Sequence, residues 1–210
     1  WGARTLLGRG GLAEIHGAID ALEARVLAER VWLFGERTLE GTARQAVQTA
    51  RGSGSPDAHW AGAMLALFRR SGDAAREAIG RLDPAQDGIA QLLLGEVARL
   101  DGDDAAASAA YTAAVGIDPG VLPAHTAAAQ MLDRPQTLDA ARAAFDTLLE
   151  STAPNHVDSR IAFFVHRARA GDPKVGAELD AYIAEHDSVL GPGQRARLYL
   201  ARGDAALRAD

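Results

Sequence analysis

Six histidines, at positions 16, 59, 125, 156, 166 and 186, are the side chains best suited to proton transfer or metal binding near neutral pH. None stands four residues from another, and no His-Glu-x-x-His motif occurs, so a zinc site is not expected. Glu185-His186-Asp187 falls where a helix should end, and its charges there suit a solvated cap better than a catalytic pair. Asp101, Asp103 and Asp104 have the opening spacing of a calcium loop, but the later oxygen ligands and the closing glutamate are missing. No serine occupies a G-x-S-x-G elbow. With no cysteine at all, disulfides, thiolate catalysis and cysteine-ligated zinc are excluded. The expectation is a chain without an active site, metal or cofactor.

One glycine-rich stretch invites a different reading. Gly8-Arg9-Gly10-Gly11-Leu12-Ala13-Glu14-Ile15 resembles the phosphate-covering loop of bacterial serine/threonine kinases. That loop joins two strands and is soon followed by a strand lysine. Here a helical periodicity follows at once, and the only lysine is Lys174. His-Arg-Asp and Asp-Phe-Gly are absent, as is a P-loop Gly-Lys-Ser/Thr ending. The stretch is expected to lead into the first helix.

Composition narrows the class. Hydrophobic residues make up 48% of the 210 and charged residues 24%, as in an ordered protein. Aromatics fall to 5%, and alanine, the strongest helix former, takes their place. The net charge of −6 opposes general nucleic-acid binding, and no basic stripe with interleaved aromatics is present. No apolar run approaches the ~20 residues of a membrane span. A single lysine and a single asparagine, Asn155, fit a GC-rich bacterial genome, and the compartment stays open between cytoplasm and periplasm.

Breakers and apolar spacing place helices near 12–34, 38–51, 57–71, 73–82, 86–101, 103–117, 122–133, 137–151, 156–170, 173–186 and 192–202. Expected reversals are Ser71-Gly72-Asp73, Asp101-Gly102-Asp103, Gly171-Asp172-Pro173 and Arg202-Gly203-Asp204, each a glycine stop before an aspartate cap. Arg51–Ser55 is a flexible connector, and Pro56 suits a first helical position. The first helix carries Ile15, Ile19, Leu22, Val26 and Leu33 on one stripe, read as the packed face of an end cap. The alternative is a helix that dimerises or docks on its own chain. The final "ARGDAALRAD" repeats a turn and the start of a further helix, as in a piece of a longer protein or a chain whose last hairpin is short.

Beneath these helices runs a period. Gly95, Ala98, Ala107, Tyr111 and Ala114, stepped by about 34 residues, land on Ala129, Leu132, Ala141, Phe145 and Leu148, and then on Phe163, Val175, Leu179 and Tyr182. Ala75, Ile79 and Leu82 repeat the triplet upstream, and Ala43, Val47 and Ala50 echo it. Leu94-Gly95-x-x-Ala98, Ala107-x-x-x-Tyr111 and Pro119 resemble the tetratricopeptide repeat (TPR) pattern W-x2-L-G-x2-Y, A-x3-F, P, with Gln91 and His125 standing at the tryptophan position. The resemblance is closest over 88–121 and good over 122–154.

The resemblance implies an all-α, right-handed solenoid of antiparallel helix pairs. Residues 1–55 would form a long helix and a degenerate hairpin, 56–187 about four TPR-like hairpins, and 188–210 an incomplete hairpin or cap. It also implies a concave groove lined by the first helix of each pair. Carried over, the groove positions are His59, Gly62, Ala66 and Arg69, then Ile89, Leu92, Glu96 and Arg99. Pro123, Thr126, Gln130 and Asp133 follow, then Val157, Arg160, Phe164 and Arg167. A line of arginines beside apolar side chains would suit an acidic and apolar peptide or protein. The expected role is therefore a non-catalytic interaction scaffold. The other reading is a regulatory or substrate-docking module of a larger enzyme or envelope-assembly protein.

Overall fold

The computed structural model describes residues 9–132, 138–152 and 156–209. Among them every regular element is helical, and no strand occurs. In chain order they are α1 (Arg9–Phe34), a 3-10 turn (Arg37–Leu39), α2 (Glu40–Ala50), α3 (Pro56–Phe68), α4 (Gly72–Ile79), α5 (Gly88–Asp101) and α6 (Asp104–Ile117). Then come α7 (Leu122–Met131), α8 (Leu138–Thr147) with a π turn (Leu148–Thr152), α9 (Val157–Arg169), α10 (Val175–His186) and α11 (Pro192–Ala209). The chain divides into two compact units, Trp1–Ala110 and Tyr111–Asp210, with the division inside α6. The expected limits at 55/56 and 187/188 fall within these units.

The helices begin and end where local chemistry dictates. Pro56 opens α3, and Ser55 Oγ accepts from Asp57 N at 3.3 Å. Asp87 Oδ1 accepts from Ala90 N at the start of α5, and Asp103 Oδ1 from Ala106 N at the start of α6, both at 2.9 Å. Three hairpins reverse through the same motif. A left-handed residue (Arg70, Gly102 or Gly171) is followed by a six-residue backbone bond: Ser71 N to Ala66 O, Asp103 N to Ala98 O and Asp172 N to Arg167 O, at 2.9–3.0 Å. This is the Schellman closure, which satisfies the last helical carbonyls. The sequence placed a glycine stop at Ser71-Gly72-Asp73, yet Gly72 opens α4 and the left-handed position falls on Arg70 (φ 58°).

In the first unit α1 packs on α2 and α3, and α3 on α4 and α5. Their shared core is mostly alanine, including Ala21, Ala24, Ala28, Ala43, Ala61, Ala63 and Ala75, each wholly buried. Small side chains let backbones approach closely. A Cβ added at Gly17 would lie 3.3 Å from Ser53 Cβ, so a larger residue where α1 passes the Arg51–Ser55 connector would make Ser53 give by a few tenths of an ångström.

In the second unit α9 is central and touches α7, α8, α10 and α11. Ile161, Phe164, Val175, Leu179, Leu190 and Leu198 form its larger core, and Ala129, Phe145 and Ala162 a smaller one. The repeated small-and-large pairs are all buried to within 1%: Ala75–Ile79, Ala107–Tyr111, Ala141–Phe145 and Val175–Leu179.

Two expectations fail. The α1 stripe is not the packed face: Ile15, Ile19, Leu22, Val26 and Leu33 are 40–56% exposed, whereas Ala21, Ala24, Ala28 and Val31 are buried. The smaller side chains win the interior because only they permit the close approach of α1 to α2 and α3. Nor does the chain turn at Arg202-Gly203-Asp204. Helix α11 runs on to Ala209, with Arg202 Nε held 2.5 Å from Asp180 Oδ1 of α10 and Ala205 packed on the core.

Candidate partner-binding surfaces

The sixteen groove positions do not form one kind of surface. In the first unit His59, Gly62 and Ala66 of α3 line a concavity of about 270 Å³ with Val47 of α2, Arg51 at its end, Ala74, Glu77 and Ala78 of α4, and Arg81 just beyond it. Its floor is apolar and shallow: a Cβ on Gly62 would already be 3.7 Å from Ala78 Cβ. Its rim is basic. Arg51 makes no side-chain bond among the described residues, and Arg81 reaches Glu77 only at 4.0 Å. Partial burial, followed by the neighbouring Arg81 charge, lowers the His59 pKa below its ordinary 6.5.

Arg69 stands apart from this concavity. Its Nε and Nη2 both reach Glu40 Oε1, at 2.7 and 2.5 Å, tying the end of α3 to the start of α2. Matching the two reversals at Arg70 and Gly102 places Asp57 and Trp60, not His59 and Gly62, opposite Ile89 and Leu92. The four positions carried onto α3 therefore lie on a different face from those on α5. On α5, Leu92 is buried and Ile89 packs partly against the core. Glu96 accepts from Arg99 Nε and Nη2 at 3.2 and 2.5 Å.

In the second unit, Gln130 is exposed at the end of α7 and Pro123 is half-buried. Thr126 is buried, and Asp133 lies outside the described residues. Val157 and Phe164 belong to the core, with the Phe164 ring 5.2 Å from that of Tyr182. Arg160 is half-buried on α9. Arg167 is enclosed, its side chain 11% exposed, with Nε 2.8 Å from Asp172 Oδ2 and Nη1 2.5 Å from Glu178 Oε2. The Glu178 hydrogen bond is the largest influence on Arg167 and raises its pKa. It also lowers the Glu178 carboxyl, while Asp172 is lowered first by the Lys174 backbone N–H and then by Arg167. Arg69 and Arg167 thus tie separate helices together while Arg99 pairs within α5, and at each a partner would have to displace a carboxylate already in place.

Sequence reasoning missed a polar chain between α7 and α9. Ser159 Oγ lies 2.6 Å from His156 Nδ1 and 2.7 Å from Thr126 Oγ1. The pairing looks nucleophilic, but Ser159 has no exposed surface, so the bonds join two helices. Burial, partly offset by Asp158, lowers the His156 pKa.

Two apolar surfaces are open. One is the α1 stripe, extended by Phe34. The other is on α11, where Tyr199, Leu200 and Leu207 are exposed; a cavity of about 610 Å³ between α10 and α11 is lined by Gly176, Asp180, Tyr199, Arg202 and Gly203. Among the described residues no helix is long and apolar enough to cross a membrane, and no three His, Asp or Glu side chains converge as metal ligands. Asp101, one of the calcium-like aspartates, instead pairs with Arg76. The chain matches no protein-family model, no curated protein and no solved structure.

Proposed function

We propose that this chain is a non-catalytic protein-interaction module built from TPR-like helical hairpins, and that it takes an acidic, partly apolar peptide segment of a partner protein. The observation that carries this reading is the recurrence of one hairpin design. Arg70, Gly102 and Gly171 close three reversals with the same backbone bond, and a buried small-and-large pair recurs on α4, α6, α8 and α10. Stacked hairpins of this kind present extended surfaces rather than enclosed pockets. Of the carried-over positions, His59, Gly62 and Ala66 line open space beside Arg51, which makes no side-chain bond among the described residues, and Arg81, which reaches Glu77 in a 4.0 Å contact. An aspartate or glutamate side chain fits that rim, and a small apolar neighbour fits the alanine floor.

Selection from a random peptide library on the immobilised chain tests this directly. Enrichment of acidic residues next to small apolar ones supports the reading when Arg51→Glu with Arg81→Glu abolishes capture and helicity is unchanged. Selected sequences without acidic bias, or capture indifferent to the double reversal, would overturn it.

A further inference from the structure

Helix α1 is apolar on two opposite sides. Gly17, Ala21, Ala24, Ala28 and Val31 run along the side packed on α2 and α3, while Ile15, Ile19, Leu22, Val26 and Leu33 run along the other. The two sets are offset by two residues, which is about 200° around a helix of 3.6 residues per turn. A helix apolar all round is normally buried all round. Here the thin side is inside, and the thick side faces solvent at 40–56% exposure.

The outer stripe has a heptad register. Ile19, Val26 and Leu33 take the a positions, and Ile15, Leu22 and Glu29 the d positions. Ile19, Val26 and Leu33 at a with Ile15 and Leu22 at d give an apolar seam of coiled-coil spacing, interrupted at Glu29. Ile15, Ile19, Leu22 and Val26, the four that an α1 partner can cover, leave on the order of 350 Å² of apolar surface, within the range of the largest patch on a typical monomer and a little under half of the ~800 Å² per partner of a standard interface. We propose that the occupant of this stripe is α1 of a second copy of the chain, in antiparallel orientation.

The orientation follows from Glu29. A parallel pair would stack Glu29 against its own copy in a d layer, burying like charges. An antiparallel pair sets Ile19 against the partner's Leu22 and Ile15 against the partner's Val26. It leaves Glu29 near the rim, where Arg25 Nε already holds it at 2.9 Å. It also brings Glu23 beside the partner's His16, both exposed and without a side-chain partner among the described residues.

The chain has no cysteine, which makes the test clean. Sedimentation at tens of micromolar should give twice the 22.0 kDa chain mass. Ile19→Asp with Val26→Asp should return a monomer of undiminished helicity, because neither residue supports the fold of a single copy. Oxidising a mixture of Ile19→Cys and Leu22→Cys chains should give the mixed disulfide over either homodimer. A wild-type monomer, a dimer indifferent to the aspartates, or preferred Leu22→Cys homodimers would each overturn the proposal.

Discussion

Trp60 donates its indole N–H to Asp87 Oδ2 at 2.8 Å, while the other oxygen of the same carboxylate caps α5 through Ala90 N. One side chain thereby starts a helix and fastens it to α3. Arg25 lies over the Trp60 ring at 4.7 Å and pairs with Asp57 at 2.9 Å, extending the tie to α1. Asp87→Ala should cost about 2 kcal/mol, combining a lost cap with an orphaned indole donor. Asp87→Asn keeps an acceptor and should cost less than half of that. Denaturant melts of the two variants and of Trp60→Phe separate the cap from the indole bond.

Arg70 offers a gain. Left-handed backbone costs a non-glycine residue roughly 1 kcal/mol, and Gly102 and Gly171 avoid that cost at the matching reversals. Arg70→Gly should raise stability by about 0.5–1 kcal/mol, a rise of about 1–4 °C in Tm. Gly102→Ala should move Tm the opposite way by a similar amount.

Acid should unfold the chain in two stages. His59 and His156 are held below their ordinary 6.5 by burial, so below that pH the unfolded chain takes up protons that the folded one refuses, and stability falls. Asp172 and Glu178 are held below their ordinary 3.8 and 4.5, so their contribution is intact above those values and disappears as pH drops through the lowered ones. Arg167→Ala should therefore cost on the order of 1–3 kcal/mol near neutrality, and its deficit should narrow at the acid end. Melts of wild type and variant from pH 7 to about 3 check both signs.

Ala107 is the position where growth should be least tolerated. It has no exposed surface, and a large side chain there must push neighbouring helices apart. Ala107→Phe should lose several kcal/mol, of the order of 1–3 or more, by overpacking. Phe145→Ala should lose about 3–5 kcal/mol by leaving a void. Thermal melts that leave either variant unchanged would contradict the repeat register.

The eleven described helices were legible in the sequence because breakers and caps act locally: Pro56, Gly102 and Asp103 need only their near neighbours to do their work. The small-and-large pairs were legible because burial imposes the same sizes at each recurrence. What stayed hidden depends on distance in space. The inward side of α1 was misjudged because hydrophobicity ranks isoleucine above alanine, whereas the close helix crossing is filled mainly by the smaller Ala21, Ala24 and Ala28. Arg69 and Arg167 looked available because nothing local announces Glu40 or Glu178 as partners, whereas the Arg99–Glu96 pair, three residues apart on α5, was open to be read. Gly203 read as a stop, but a glycine with ordinary helical backbone is merely a weak helix former, and the Arg202–Asp180 pair carries α11 through it.

The alanine-built interior of the first unit has a thermal consequence. Methyl groups give up almost no rotational freedom when enclosed, and each removes little hydrocarbon from water. Unfolding should therefore release less heat capacity than the usual 12–15 cal/mol/K per residue. The free-energy curve flattens accordingly, so the unit should lose strength only gradually on either cooling or warming.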